Sequence, residues 1–233
     1  MAVVVDVYRA FTCAPLLFSL GLQRSILVAD PEEALDMKKK DPGLVLVGEV
    51  KGVPIQGFDL GNSPSQILRQ PRGFFQTRTA VQRTSAGVQG ALAALEGADE
   101  VLLGSFTLAQ AVSHYILSRA PDKVSIVAMG IQLKEKAPED EWCARFISYL
   151  LGVGDYDHNQ AMREILFHQT TQKFLKRDRE EFPPEDPLLC LQPNIYDFVL
   201  RAAKEGDQVV VQRIQVPETR AQSSAKGCTR EAV

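Results

Sequence analysis

The sequence predicts an α/β protein, a three-layer α/β/α sandwich around a mainly parallel, mixed sheet, and three observations predict it. Short β-branched or apolar runs recur at Val3–Val7, Ser25–Ala29, Leu44–Val47, Val101–Leu103 and Val124–Ala128. Runs of this length, apolar at consecutive positions, suit strands covered on both faces. Most are followed by a polar or glycine-containing turn and then a helical stretch of ten or more residues, the rhythm of βαβ units. Asp6, Glu49, Thr84, Ser105 and Gly130 all fall at or just beyond strand ends, where open α/β sheets bind ligands.

In order along the chain, Val3–Val7 is the first strand, and Thr12 to Phe18 forms an apolar helix with a proline tolerated in its first turn and Gly21 as its stop. Asp30-Pro31-Glu32-Glu33 opens the next helix with a cap, an N1 proline and two acids favoured by the helix dipole. Its end, Lys38-Lys39-Lys40, reads as a solvated last turn. Leu44–Val47 then feeds the central stretch, in which Gly48-Glu49, a glycine-punctuated loop and Asp59 lead to Asn62-Ser63-Pro64. Ser63-Pro64 reads as an N-cap and first helical position. Phe74–Gln82 is strand-like with a break near Arg78-Thr79, and an alanine-rich helix runs on to Leu95. Helices follow at Leu108–Ser118 and from Pro138 onward. Beyond Leu151 the pattern predicts one helix over Gln160–Lys176, another over Asn194–Lys204 and a strand over Val209–Val216. Residues 1–151 are thus expected to form the core that carries the site, and 152–220 a further part of the same domain or a small subdomain. The polar stretch 221–233 is expected to be a disordered tail.

The chain has 233 residues, 45% of them hydrophobic, and a formal charge of −3. That length buries a sizeable core, while the mixed charge lacks the broad basic face that nucleic acid requires. The apolar start, MAVVVDV, is interrupted by Asp6 and Arg9 and lacks a basic flank, so neither a membrane span nor a signal peptide is read there and a cytoplasmic location is expected. The cysteines at 13, 143, 190 and 228 include no C-x-x-C pair and are expected as reduced thiols, with Cys13 and Cys143 buried. His114, His158 and His168 are expected in structural roles. No heptads appear, and a homo-oligomer is neither indicated nor excluded.

Asp6, Glu49, Asp59, Glu139 and Asp140 are the candidates for a Mg²⁺ site, because a hard dication takes oxygen ligands and needs only one or two from protein. Glu139 is equally readable as a first-turn helix acid. Asp6 and Asp59 are embedded in apolar sequence, where an unpaired charge is costly. Arg9 presents a planar fork for a phosphate or sulfonate, or forms an ion pair with Asp6 or Glu49. Lys51 is a second anion-holding cation. Arg83-Thr84-Ser85-Ala86-Gly87 has the composition of an anion cradle, with hydroxyls and bare amides before a helix, and the amides at Asn62-Ser63 add to it. An aspartyl-nucleophile motif is absent, since Asp6 is followed by Val7 and Tyr8, and so are a Cys-x5-Arg loop and a Walker-type phosphate loop.

At these residues the chain resembles the 2-phosphosulfolactate phosphatase family. The blocks that carry the resemblance are VVVDVYRAFT from Val3, GEVKG from Gly48, GFDLGNSP from Gly57, RTSAGVQGA from Arg83, LLGSF from Leu102 and PEDEWCA from Pro138, over the first two-thirds of the chain. The resemblance implies an α/β fold and Mg²⁺-dependent hydrolysis of 2-phospho-3-sulfolactate to sulfolactate and phosphate, a step towards coenzyme M. It implies site roles for Asp6, Arg9, Glu49, Asp59, Asn62, Ser63, Thr84, Ser85, Gly87 and Asp140. Many members have Thr-Asn-Gly-Thr where this chain has Ser85 to Val88, and a Gly where it has Arg145, a cation expected to fill a pocket or reshape specificity. Members also usually carry an extra segment ahead of the strand that here begins almost at Met1. Two further readings stay open: a phosphatase of another small phosphorylated hydroxy acid, and an inactive binding protein on the same scaffold.

Overall fold

The computed structural model describes residues 1–216, so the expected tail at 221–233 and Cys228 lie outside the described residues. It is an α/β protein built on a nine-stranded mixed sheet. The strands are β1 (Ala2–Val5), β2 (Arg24–Leu27), β3 (Val45–Val50), β4 (Val53–Pro54), β5 (Thr79–Arg83), β6 (Val101–Gly104), β7 (Ser125–Ala128), β8 (Phe198–Glu205) and β9 (Gln208–Gln215). Their order across the sheet is β4-β3-β5-β2-β9-β8-β6-β1-β7. The helices, α1 (Ala10–Ser19), α2 (Pro31–Lys40), α3 (Pro64–Leu68), α4 (Gly87–Ala94), α5 (Ala109–Arg119), α6 (Pro138–Leu150), α7 (His158–Phe167), α8 (Gln169–Leu175) and α9 (Glu185–Cys190), complete the three-layer α/β/α sandwich.

Two parallel triplets, β3-β5-β2 and β6-β1-β7, are joined by the antiparallel hairpin β8-β9. Three antiparallel steps separate β2 from β6, so the triplets run in opposite senses. Residues beyond the carboxyl ends of both triplets nevertheless meet, since the Gly87 amide after β5 reaches Asp6 after β1. The site forms where they meet. Strands β1 and β6 are buried along their whole length, as the unbroken apolar runs predict, and Phe11, Leu17, Leu102, Leu103 and Phe198 pack around them.

Helix starts follow the caps read in sequence. Asp30 accepts the Glu32 amide at the start of α2, and Ser63 accepts the Gln66 amide at the start of α3. Three elements differ from expectation. Asn194–Lys204 is not a helix: Phe198–Glu205 is strand β8, held by β6 on one side and β9 on the other. Burial at both faces removes the alternation by which a strand is recognised. The expected helix over Gln160–Lys176 is broken at His168, whose backbone is extended and whose side chain accepts the Thr170 amide as the cap of α8. Phe74–Thr77 is a turn and only Thr79–Arg83 pairs as a strand. Pro15 lies inside α1 rather than in its first turn. Cys13, Cys143 and Cys190 are buried free thiols. Among the described residues no helix is long and apolar enough to cross a membrane.

Since β8 and β9 bridge the triplets, Leu200→Ala, at a fully buried position of β8, is expected to lower stability by about 2–5 kcal/mol. Chemical denaturation measures this, and loss in a single transition is the expected form.

Candidate active site

A cleft of about 100 Å³ opens where the ends of β1, β3, β5 and β7 face one another, walled on its other side by α8 and the loop before α9. Asp6 follows β1 and Glu49 lies near the end of β3, while Asp140 and Glu139 sit in the first turn of α6. All four acids line the cleft and are buried. Backbone amides hold three of them in place. Asp6 accepts from Ala10 at 3.2 Å and from Gly87 at 2.7 Å. Asp140 accepts from Val7 at 2.7 Å and Gly130 at 2.9 Å. Glu49 accepts from the amides of Gly52 and Ser85 and from the Ser85 hydroxyl. The approach at Gly87 leaves no room for a side chain, because a Cβ there would stand 2.7 Å from Asp6 Oδ2.

The anion cradle expected at Arg83 to Gly87 is therefore turned to another use: its Ser85 and Gly87 amides grip the protein's own carboxylates. Thr84 accepts the Val88 amide at the start of α4, and Arg83 donates to the carbonyls of Ala29 and Glu49, so neither reaches the cleft. Ser85 and Lys51 do line it.

Arg9 departs from the expected ion pair. It pairs with neither Asp6 nor Glu49; Nη1 donates to Asp186 Oδ2 and to the Glu181 carbonyl, each at 2.8 Å, and Nη2 to the Gly52 carbonyl at 3.3 Å. The pair is buried, at 4% and 0% exposure. Asp186 Oδ1 accepts in turn from the Ser63 hydroxyl and the Ser65 amide, both at 3.0 Å. Ser63 is thus a helix cap and a partner of Asp186. The guanidinium lies 5.3 Å from the ring centres of Phe174 and Phe182. Its Nε–H and one Nη2–H have no partner among the described residues, and Arg9 lines the cleft.

Asp59 does not join the other acids. It bonds Lys38 Nζ at 2.7 Å and accepts the Leu46 amide at 2.7 Å, beside a different surface pocket. Its apolar sequence neighbours do not bury it alone, because Lys38, from the lysine run read as solvated, reaches across from α2. Arg145 lies over the Trp142 ring, 4.7 Å from its centre, and does not line the cleft.

Burial pushes the Asp6 carboxyl up to about 6 against the pull of the Ala10 amide, with Glu49 adding repulsion. Burial likewise pushes Glu139 up to about 7, although Thr170 donates to it at 2.8 Å. Asp140 is held well above the usual carboxylate range by burial and then by the charges of Asp6 and Glu139. None of the four acids forms a salt bridge among the described residues. Asn62, which lines the same cleft, has a buried Oδ1 without a hydrogen-bond partner among the described residues. Unpaired acids beside an orphaned oxygen are what a hard cation would satisfy. No three acids, histidines or cysteines among the described residues converge into a ready-made cage, so a fitting ion is one that keeps much of its water.

Sequence reading missed Lys173, Phe174, Phe182 and Asp186, all in the C-terminal third where periodicity fades. The one available signal was Asp186 itself, an acid set in the proline-rich, apolar FPPEDPLLC.

The family model described as 2-phosphosulpholactate phosphatase matches residues 1–205. A Bacillus subtilis protein named "Probable 2-phosphosulfolactate phosphatase" is 30% identical over 215 residues, covering 91% of both chains. Proteins of the same name from Deinococcus radiodurans and Thermus thermophilus are 34% and 36% identical, each covering 71% of this chain and 68% of its own.

The geometry separates two acids that look alike in sequence. Asp186→Ala strands a buried guanidinium and is expected to cost about 3–5 kcal/mol; Asp59→Ala, at a half-exposed pair, about 1 kcal/mol. Urea titration of both variants checks the order, and an equal cost would refute the assignment.

Proposed function

This chain belongs to the 2-phosphosulfolactate phosphatase family, and from that premise we propose that it is a Mg²⁺-dependent phosphoric monoester hydrolase converting 2-phospho-3-sulfolactate to sulfolactate and phosphate. The observation that carries the reading is the cleft in which inward acids without a cation partner stand opposite Arg9, a buried cation with N–H groups to spare. Such a site suits a charged phosphoryl group bound beside a metal ion. Asp6, in electrostatic contact with both Glu49 and Asp140, would hold Mg²⁺ together with Asn62 Oδ1. The ion would supply Lewis-acid screening of phosphoryl charge and a lowered pKa for water.

The residues of the chain do the rest. Arg9 donates to the phosphoryl oxygens, and its hold by Asp186, Glu181 and Gly52 fixes the fork before substrate arrives. In the net reaction a water oxygen becomes bonded to phosphorus and the water gives up a proton, the ester P–O bond to the lactate carbon skeleton breaks, and the departing alkoxide takes up a proton. Glu139, poised near 7 by burial, is the acid matched to giving that proton at neutral pH. The Phe174 and Phe182 rings thin the water around the reacting group. On this reading the reaction is a step of the kind that leads to coenzyme M, and a cytoplasmic location is part of the proposal.

Phosphate release from 2-phosphosulfolactate is expected with Mg²⁺ and abolished by EDTA; metal-independent release would remove the ion from the reaction. Arg9→Ala is expected to lower kcat/KM by roughly 10²-fold or more, and an unchanged value would remove Arg9.

A second check needs no turnover. For Asp6 and Glu139 the folded-state pKa lies above the ordinary value, so between about pH 4 and 7 the folded chain holds more protons than the unfolded one. Their contribution to stability therefore falls as pH rises through that window and stays low above it. Mg²⁺ relieves the repulsion of the ionised acids but competes with protons at low pH. The rise in melting temperature on adding Mg²⁺ is expected to be larger at pH 7.5 than at pH 5.5, and the reverse order would contradict metal binding at these acids.

A further inference from the structure

The acid-lined cleft is small. At about 100 Å³ it falls well below the roughly 300–1,000 Å³ of ordinary small-molecule pockets, and an entire phosphorylated hydroxy acid must extend out of it. A second compartment of about 360 Å³ adjoins it, and Ile131, Thr170 and Lys173 line both. The outer compartment also presents Gln169, Gln172 and Lys176 from α8 and its end. Lys173 is the cation at the passage between the two.

The state of Lys173 is unusual for a lysine. It is half-buried, and among the described residues it makes no hydrogen bond and no salt bridge within 4.0 Å. Its ammonium rests 5.2 Å from the Phe174 ring centre and 4.8 Å from that of Phe182. Those are the same two rings that flank Arg9. Burial, followed by the neighbouring Arg9 guanidinium, holds the ammonium below the usual lysine range, against the pull of Glu139 and Glu49. Arg9 has Asp186 as its counter-ion; Lys173 has none within 4.0 Å among the described residues. Desolvating an ammonium beside another cation is unfavourable unless an anion arrives to pair with it. The aromatic faces fix its position in the meantime.

We infer that Lys173 is the specificity-determining contact for a second anionic group of the substrate, a carboxylate or sulfonate borne on the carbon skeleton of the phosphate ester. The phosphoryl group lies inward at Arg9 and the second anion at the passage, with the remainder in the outer compartment. This rests on the phosphatase reading for the ester itself, while the anion contact can be read without turnover.

The test compares 2-phosphosulfolactate, 2-phospholactate and isopropyl phosphate, three esters of which the last lacks any second anion, in wild type, Lys173→Met and Lys173→Arg. The expected result is a wild-type preference for the two acid-bearing esters that falls roughly 10- to 100-fold in Lys173→Met, the value of one charge-assisted hydrogen bond, chiefly through KM. Lys173→Arg is expected to retain most of the preference. Sulfonate over carboxylate, or the reverse, identifies which anion the contact favours. An unchanged preference in Lys173→Met, or an equal loss on all three esters, overturns the proposal and assigns Lys173 to the phosphoryl group or to structure.

If wild type releases phosphate from none of the esters, the phosphatase reading fails separately. The lysine is then read by calorimetric titration of sulfolactate into wild type and Lys173→Met. Weaker binding to the variant upholds the contact, and equal binding, or none to wild type, overturns it. Thermal melts of the folded variants accompany both arms.

Discussion

The buried ion pair between Arg9 and Asp186 is the interaction on which the remaining geometry depends. Taking both charges out of water costs several kcal/mol per ion, and attraction alone does not reliably offset it. The structure offsets the cost by giving both charges further hydrogen-bond partners. Asp186 accepts from Arg9, from the Ser63 hydroxyl and from the Ser65 amide, and Arg9 adds the carbonyls of Glu181 and Gly52. Four chain segments, around residues 9, 52, 64 and 181–186, are thereby fixed to one point. The pair sets the start of α1, the cap of α3 and the approach of α9 together, and with them the wall of the cleft.

The acids opposite are fastened by a related device. Each of Asp6, Glu49 and Asp140 takes amides from a turn following a strand: Gly87 and Ser85 after β5, Val7 after β1, Gly130 after β7. Backbone donors orient a carboxylate without neutralising it. The strand ends are therefore tied to one another through acids whose charge remains uncompensated. A salt bridge at the same place would have given similar rigidity and cancelled the field that a cation and a phosphoryl group require. Gly87 follows from this arrangement: the turn can supply its amide to Asp6 only where no Cβ intervenes.

What could be read from sequence follows the range of the interactions involved. Local signals were legible: the buried runs that became β1, β3 and β6, the Asp30 and Ser63 caps, and the placing of Asp6 and Glu49 at strand ends. Pairings between distant segments were not. Asp59 looked like an unpaired acid in apolar sequence and Lys38 like a solvated lysine, and the two misreadings are one, since each is the other's partner. For Arg9 only nearby acids, Asp6 and Glu49, offer themselves as ion-pair partners in sequence, whereas its partner lies 177 residues away. Strand β8 read as a helix because Phe198 to Lys204 lacks alternation, and only its place in mid-sheet, between β6 and β9, explains that.

The two walls of the cleft have different origins, and the difference has a consequence for how such a protein can change. The acids come from strand ends and from the first turn of α6, inside a hydrogen-bonded web in which each residue holds another. Lys173, Phe174 and Phe182 come from a short helix and the loop beyond it, and Lys173 holds nothing else among the described residues. Replacing an acid disturbs the joints between strands as well as the chemistry. Replacing Lys173 on α8 alters the charge and shape met by the outer part of a ligand while the acids, their amides and the Arg9 pair keep their hydrogen bonds. Selection among related phosphate esters can therefore proceed on the C-terminal wall without rebuilding the reacting centre. The β8-β9 hairpin makes this separation workable, because its pairing with both β2 and β6 holds the two parallel triplets in one sheet whatever side chains the outer wall carries.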